Sequence, residues 1–249
     1  SGITKPIKIN KGGKMFNKKI AKFVTNNKFL LEEYPLKKYS KNPPSWFKDV
    51  HVNLNKYMDK PQFETTVKAC SGIWDFLKNA YILRWNFDLE ITINKDGTFN
   101  YGDINKDMLK RVTWFGPELF SMHTPIADDH LTKNTIKLEM NWDVVSSQNG
   151  KLLFKEPFFD YNRDYRIIPG VIEPKYVHAV NVIIEPLKDK IIIKRGEPAL
   201  AVIPLDNQKI VSSLINRKDN DMIERANYKQ NTLGSHWYEK YRKSDKKQK

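Results

Sequence analysis

From residue 82 onward the sequence alternates. ILRWNFDLEITINKDGTFNYG places apolar side chains at every second position on both sides of Lys95-Asp96-Gly97. An Asp-Gly pair between alternating runs is a strong hairpin signal, because the tight turn needs residues that tolerate positive φ. TIKLEMNWDVVSSQNGKLLFKEP repeats the pattern and predicts a second hairpin turning at Gln148-Asn149-Gly150. VHAVNVIIEP and KIIIKRGEPALAVIPL predict further extended segments joined at Leu187-Lys188-Asp189. About eight short strands between 82 and 205, with no helical period among them, predict a mainly β body.

The flanks read differently. In TVKACSGIWDFLKNAY the residues Ile73, Trp74, Leu77, Ala80 and Tyr81 recur at helical spacing, which predicts a short amphipathic helix with Ser71 as its N-cap. Residues 1–65 are rich in Lys, Pro and Asn and predict a basic arm and a segment that wraps the core, with Trp46 and Phe47 covering its edge. After Pro204, NQKIVSSLINRKDNDMIERANYKQ predicts a helix or two, with Met222, Ile223, Ala226, Trp237 and Tyr241 as a packing stripe, before a basic tail. The expected division is therefore an arm and wrapping segment at 1–65, a β domain with an initial helix at 66–205, and a helical, basic extension at 206–249.

The 249 residues, 40% of them hydrophobic, suffice for a substantial core. No run is apolar and long enough to span a membrane, and SGITKPIKINKGGK lacks the apolar centre of a secretory signal, so no membrane partner is expected. The lone Cys70 cannot form an internal disulfide and is expected to be a small buried residue in a reducing cytoplasm. The net charge of +14 sits at the ends: residues 1–31 carry eight lysines and no acid, and residues 216–249 carry ten bases against five acids. Such arms suit a polyanion, nucleic acid or an acidic protein surface.

The segment PGVIEPKYVHAVNVII, followed by IKRGEPALAVIPL, resembles the dUTPase and dCTP deaminase superfamily of β-clip folds. Gly170, Ile172, Glu173 and Tyr176 fall where that family has Gly, Ile, Asp and Tyr. Gly196 and Glu197 match its later Gly-Asp turn, and Ala201 matches its Ala. A wider stretch, from 121 to 205, is similar to an uncharacterised phage and bacterial family, through His123-Thr124-Pro125, Asn141-Trp142 and a run ending in Ile-Pro. The resemblance implies a β-clip body, a homotrimer in the host cytoplasm or virion, water activation by Glu173, and sugar stacking on Tyr176. It implies a ligand beside His178, Gly196 and Glu197, and magnesium if nucleotides are hydrolysed; otherwise no cofactor or metal is expected.

Three departures point away from catalysis. Glu173 is one methylene longer than the family's Asp, and about an ångström of misplacement costs orders of magnitude in rate. His178 stands where the family has Gly, and Pro198 and Val202 replace its Arg and Gln. The expected function is therefore a catalytically divergent binding or assembly module, with a nucleotide hydrolase or deaminase and a nucleic-acid binder as alternatives. Other motifs are weaker. His123, Asp128, Asp129 and His130 lack metal-site spacing, and Lys11-Gly12-Gly13-Lys14 lacks the strand and Ser/Thr of a P-loop. Asp160, Asp164 and Glu173 pair as carboxylates only if the fold brings them together.

Overall fold

The computed structural model describes residues 19–52, 66–95, 99–103, 112–115, 135–158, 160, 163–176, 179–206, 208–233 and 236–247. In chain order the strands are β1 (Lys19–Thr25), β2 (Lys37–Lys38), β3 (Tyr81–Arg84), β4 (Leu89–Ile93), β5 (Phe99–Asp103), β6 (Val112–Phe115) and β7 (Thr135–Val145). There follow β8 (Leu152–Lys155), β9 (Tyr165–Ile167), β10 (Gly170–Ile172), β11 (Ala179–Pro186), β12 (Lys190–Ile193), β13 (Pro198–Pro204) and β14 (Gln208–Leu214). The α-helices are α1 (Lys28–Glu33), α2 (Ser45–Asp49), α3 (Ser71–Asn79), α4 (Arg217–Leu233) and α5 (Trp237–Lys247). The chain is thus mainly β, and no described residue between 82 and 205 is helical. No helix among the described residues is long and apolar enough to cross a membrane.

Three sheets share one core. The largest runs β14-β1-β7-β11-β9, with β6 also on β7; the second runs β10-β8-β13-β3-β2; the third runs β12-β4-β5. The long strand β7 shows why: Ile136, Leu138, Met140, Trp142 and Val144 alternate inward and are all nearly fully buried. They meet Leu83, Leu200 and Val202 from the second sheet and Ile91 and Ile191 from the third. Strand β3 is apolar on both faces. Tyr81 and Leu83 join the main core, while Ile82 faces a satellite cluster with Tyr39, Phe47, Leu77 and Ala80 beneath α3. Phe47 is buried as expected and Trp46 half-covers the rim.

The strands lie close to where alternation put them, but pairing differs. β4 and β5 do pair across Lys95-Asp96-Gly97, from Leu89↔Asp103 to Ile93↔Phe99. β7 and β8 form no hairpin, because they belong to different sheets. Among the described glycines only Gly196 has positive φ, so Asn149-Gly150 does not adopt the tight turn its sequence suggests. Ser146 Oγ instead donates to Ile20 O at 2.9 Å, and Lys151 N donates to Asp206 Oδ2 at 2.9 Å, carrying the chain from one sheet to the next. A Cβ on Gly150 would overlap the Gln208 side-chain amide, so this glycine serves a close approach. Likewise β11 and β12 do not pair across Leu187-Lys188-Asp189: β11 pairs with β7 and β9, and β12 with β4.

Segments from both flanks of the β domain enter the largest sheet. β1 lies in the segment expected to wrap, β14 in the segment expected to be helical, and the two pair in parallel from Lys19↔Gln208 to Thr25↔Leu214. α4 then folds back towards β7. Cys70 is exposed, not buried, because it caps α3 at the surface.

Candidate functional site

The corner that the resemblance assigns to chemistry is a turn. Tyr176 N donates to Glu173 O at 2.9 Å, with Pro174 supplying the φ that the second turn position favours. The turn follows the edge strand β10 and is covered by α5. Arg242 Nη2 lies 3.5 Å from Glu173 Oε1, and the Glu173 side chain is 15% exposed. Tyr176 is almost fully buried, and its hydroxyl donates to Asp245 Oδ2 at 2.9 Å. Lys175 Nζ pairs with the same carboxylate. The rings of Tyr241 and Tyr238 meet Tyr176 edge to face at 5.0 and 6.2 Å. Burial, then the hydrogen bond to Asp245, push the Tyr176 phenol up to about 12. Burial and the Glu173 charge raise Tyr238 as well. Beside this corner lies a polar cleft of about 390 Å³, where Lys19, Lys151, Arg242 and Lys246 face Glu173 and Asp206.

Gly196 and Glu197 lie elsewhere. Glu197 N donates to Lys194 O at 3.2 Å, closing a turn in which Gly196 takes φ +83. That is the value a type II turn requires at its third residue, and an L side chain adopts it only with strain. Two further bonds dock the turn on Trp85: Gly196 N to Trp85 O at 2.8 Å, and Trp85 N to Glu197 O at 2.9 Å. There is room for a methyl group, since the nearest atom to a Cβ would be Tyr34 Cε1 at 3.8 Å. Gly196→Ala is therefore expected to cost about 1 kcal/mol, through backbone strain alone. Chemical denaturation measures it, and an unchanged midpoint would exclude the strain.

The two turns sit at opposite ends of β13. Pro204 and Ile172 both pair with Leu152, whereas Pro198 pairs with Arg84 at the far end. Strand rise makes that separation roughly 20 Å. Within one chain Glu173 and Tyr176 therefore do not share a site with Gly196 and Glu197. His178 lies outside the described residues, as do His123, Asp128, Asp129, His130 and Lys11-Gly12-Gly13-Lys14. The three carboxylates do not converge either. Asp160 pairs with Arg163, and Asp164 with Lys188 at 2.6 Å, on a different cleft from Glu173. Among the described residues no cluster of His, Cys, Asp and Glu could hold a metal ion.

The Gly196 turn borders a larger cleft of about 730 Å³ whose wall includes Tyr39, Arg84, Arg163, Tyr165 and Phe158, with Trp46 also lining it. Sequence reading missed most of this wall. Burial, with the Asp160 charge, pushes Tyr39 up to about 12, and burial pushes Tyr165 up to about 12, so both phenols are protonated donors at neutral pH. Tyr39 spends its proton on Phe158 O at 3.1 Å. Two signals were legible: Arg84 is the only charge in the apolar run YILRWNF, and Asp160 and Arg163 stand close before Tyr165, which opens β9. No known protein-family model matches the chain, and no curated protein matches it.

Proposed function

We propose that the chain is a β-clip-like binding and assembly module in which the corner at Glu173 has lost its chemistry. The observation that carries this reading is the attachment of that corner to the protein's own C-terminal helix. Water activation needs a carboxylate positioned against a substrate-bound water, and sugar discrimination needs an open ring face. Here Arg242 stands against Glu173, Asp245 takes the Tyr176 hydroxyl, and Tyr241 and Tyr238 crowd its ring. Assembly is supported by the sheet edges. The edge strands β10 and β14 carry exposed Val171 and Leu214, and unpaired edges are commonly protected by association. By the family resemblance the assembly is a trimer.

The test is a panel of deoxynucleoside triphosphates with magnesium, assayed for pyrophosphate and ammonia release, beside the mass of the protein in solution. The expected result is no turnover and a mass near three times the 29.3 kDa chain. Turnover that disappears in Glu173→Gln, in a variant that still folds, would establish the enzyme instead. A monomer at all concentrations would remove the assembly half of the proposal.

A further inference from the structure

The cleft beside Gly196 contains hydrogen-bond donors that the fold has brought together and left unspent. Tyr165 is 4% exposed, and its hydroxyl oxygen accepts from Trp85 Nε1 at 3.0 Å and from Arg163 Nη1 at 2.9 Å. Two incoming donors occupy the oxygen's acceptor sites, so its own proton is left to seek an acceptor. No described residue accepts it, and Tyr165 is among the residues that line the cleft.

Arg84 stands on the same wall. A guanidinium carries five N–H donors, yet the only bond the Arg84 side chain makes to a described residue is from Nη1 to the backbone carbonyl of Gly196. It forms no ion pair with a described carboxylate. Burial lowers its pKa from the ordinary value, the expected sign for a cation desolvated without a counter-ion. The nearby acids do not supply one: Asp160 is held by Arg163, Asp164 by Lys188, and Glu197 is exposed at the mouth. Charges withdrawn from water are normally paired, so a partly buried guanidinium with spare donors, lining the same cleft as an unspent hydroxyl, suits an incoming anion. Trp46, 36% exposed, lines the same cleft together with Pro43 and Pro44 and adds an aromatic, apolar part to its wall.

The geometry points to a binding site for a small oxyanion, carboxylate or phosphate, carried on a planar ring, with Arg84 and Tyr165 holding the anion and Trp46 covering the ring. The site lies at the far end of β13 from Glu173 and does not depend on the β-clip reading. The probes are benzoate and phenyl phosphate, with benzylamine as a ring of opposite charge, measured by calorimetry and thermal shift on the full chain. At least one anion is expected to bind and benzylamine to be silent, the tighter anion identifying the charged group. Arg84→Gln is expected to weaken binding at least tenfold, and Trp46→Ala, at a half-exposed rim, severalfold.

A readout without substitution guards against a misfolded variant. Phenylglyoxal labels free guanidinium groups, and the bound anion should slow modification of the Arg84 peptide in mass spectra while leaving exposed Arg217 unaffected. Silence from both anions, equal binding of benzylamine, or an unprotected Arg84 would each overturn the proposal.

Discussion

Trp85→Ala is expected to destabilise the protein by about 4 kcal/mol, the cost of removing a buried indole that its surroundings cannot replace. Trp85 is fully buried and touches Phe87 at 5.3 Å and Tyr165 at 6.3 Å between ring centres. Its backbone holds the 194–197 turn through two hydrogen bonds, so the cavity opens beneath the point where β12 gives way to β13. A chain of this size should lose roughly 10 °C in Tm. Trp85→Phe separates packing from polarity. It retains much of the ring but drops the bond to Tyr165, and should cost only about 1 to 2 kcal/mol, largely one buried hydrogen bond and a smaller void. Because that bond also orients the Tyr165 hydroxyl, Trp85→Phe should weaken anion binding more than its stability loss suggests. Near-native stability of Trp85→Ala in urea would mean that the three sheets do not depend on this contact.

What the sequence made legible was local. Alternation located β4, β5, β7, β8, β11, β12 and β13, and helical spacing located α3, because both are written in neighbouring residues. Sheet membership was not, since it depends on which apolar faces meet across the core. Asn149-Gly150 illustrates the limit. The pair carries a hairpin signal, but Leu152 joins β13 and β10 rather than returning along β7, and no tight turn forms. β1 and β14 were hidden for a related reason: KIAKFVT carries two lysines that read as an arm, and QKIVSSL lacks a sustained alternation. Each becomes a strand beside the other, and that pairing has no local signature.

The candidate site divided in the same way. Glu173 and Tyr176 sit in a turn that Pro174 announces, so their closeness to each other was readable. Their covering by Arg242, Asp245 and Tyr241 was not, because some 70 residues separate turn and helix. Arg84 comes from one stretch of chain and Arg163 and Tyr165 from another, and they line one cleft only once β13 has docked against β3. A charge in an apolar strand is therefore the useful flag: it must find either a counter-ion or a ligand.

Lys22→Met tests the contact between β1 and α4, and should cost about 2 to 3 kcal/mol by stranding a buried charge. Lys22 Nζ lies 2.7 Å from both oxygens of Asp219, 197 positions away, with side chains 30% and 4% exposed. Asp219 also sits in the first turn of α4. Its N–H donates to Asn216 Oδ1 at 3.0 Å, while Asn216 N donates back to Asp219 Oδ2 at 3.4 Å, the reciprocal arrangement of a capping box. Without Lys22 that long bond is all the carboxylate retains among these partners, so its desolvation goes uncompensated. Lys22, being partly exposed, can turn towards water if Asp219 is removed. Lys22→Met/Asp219→Asn should therefore be more stable than Lys22→Met alone, because the amide keeps the cap without the charge. Urea midpoints for the four proteins measure the coupling, with equal slopes confirming comparable denatured states. High salt should leave the difference largely intact, as screening reaches a buried pair poorly. A single-variant loss below about 0.5 kcal/mol, the range of ordinary surface substitutions, would show that β1 and α4 are held together by packing alone.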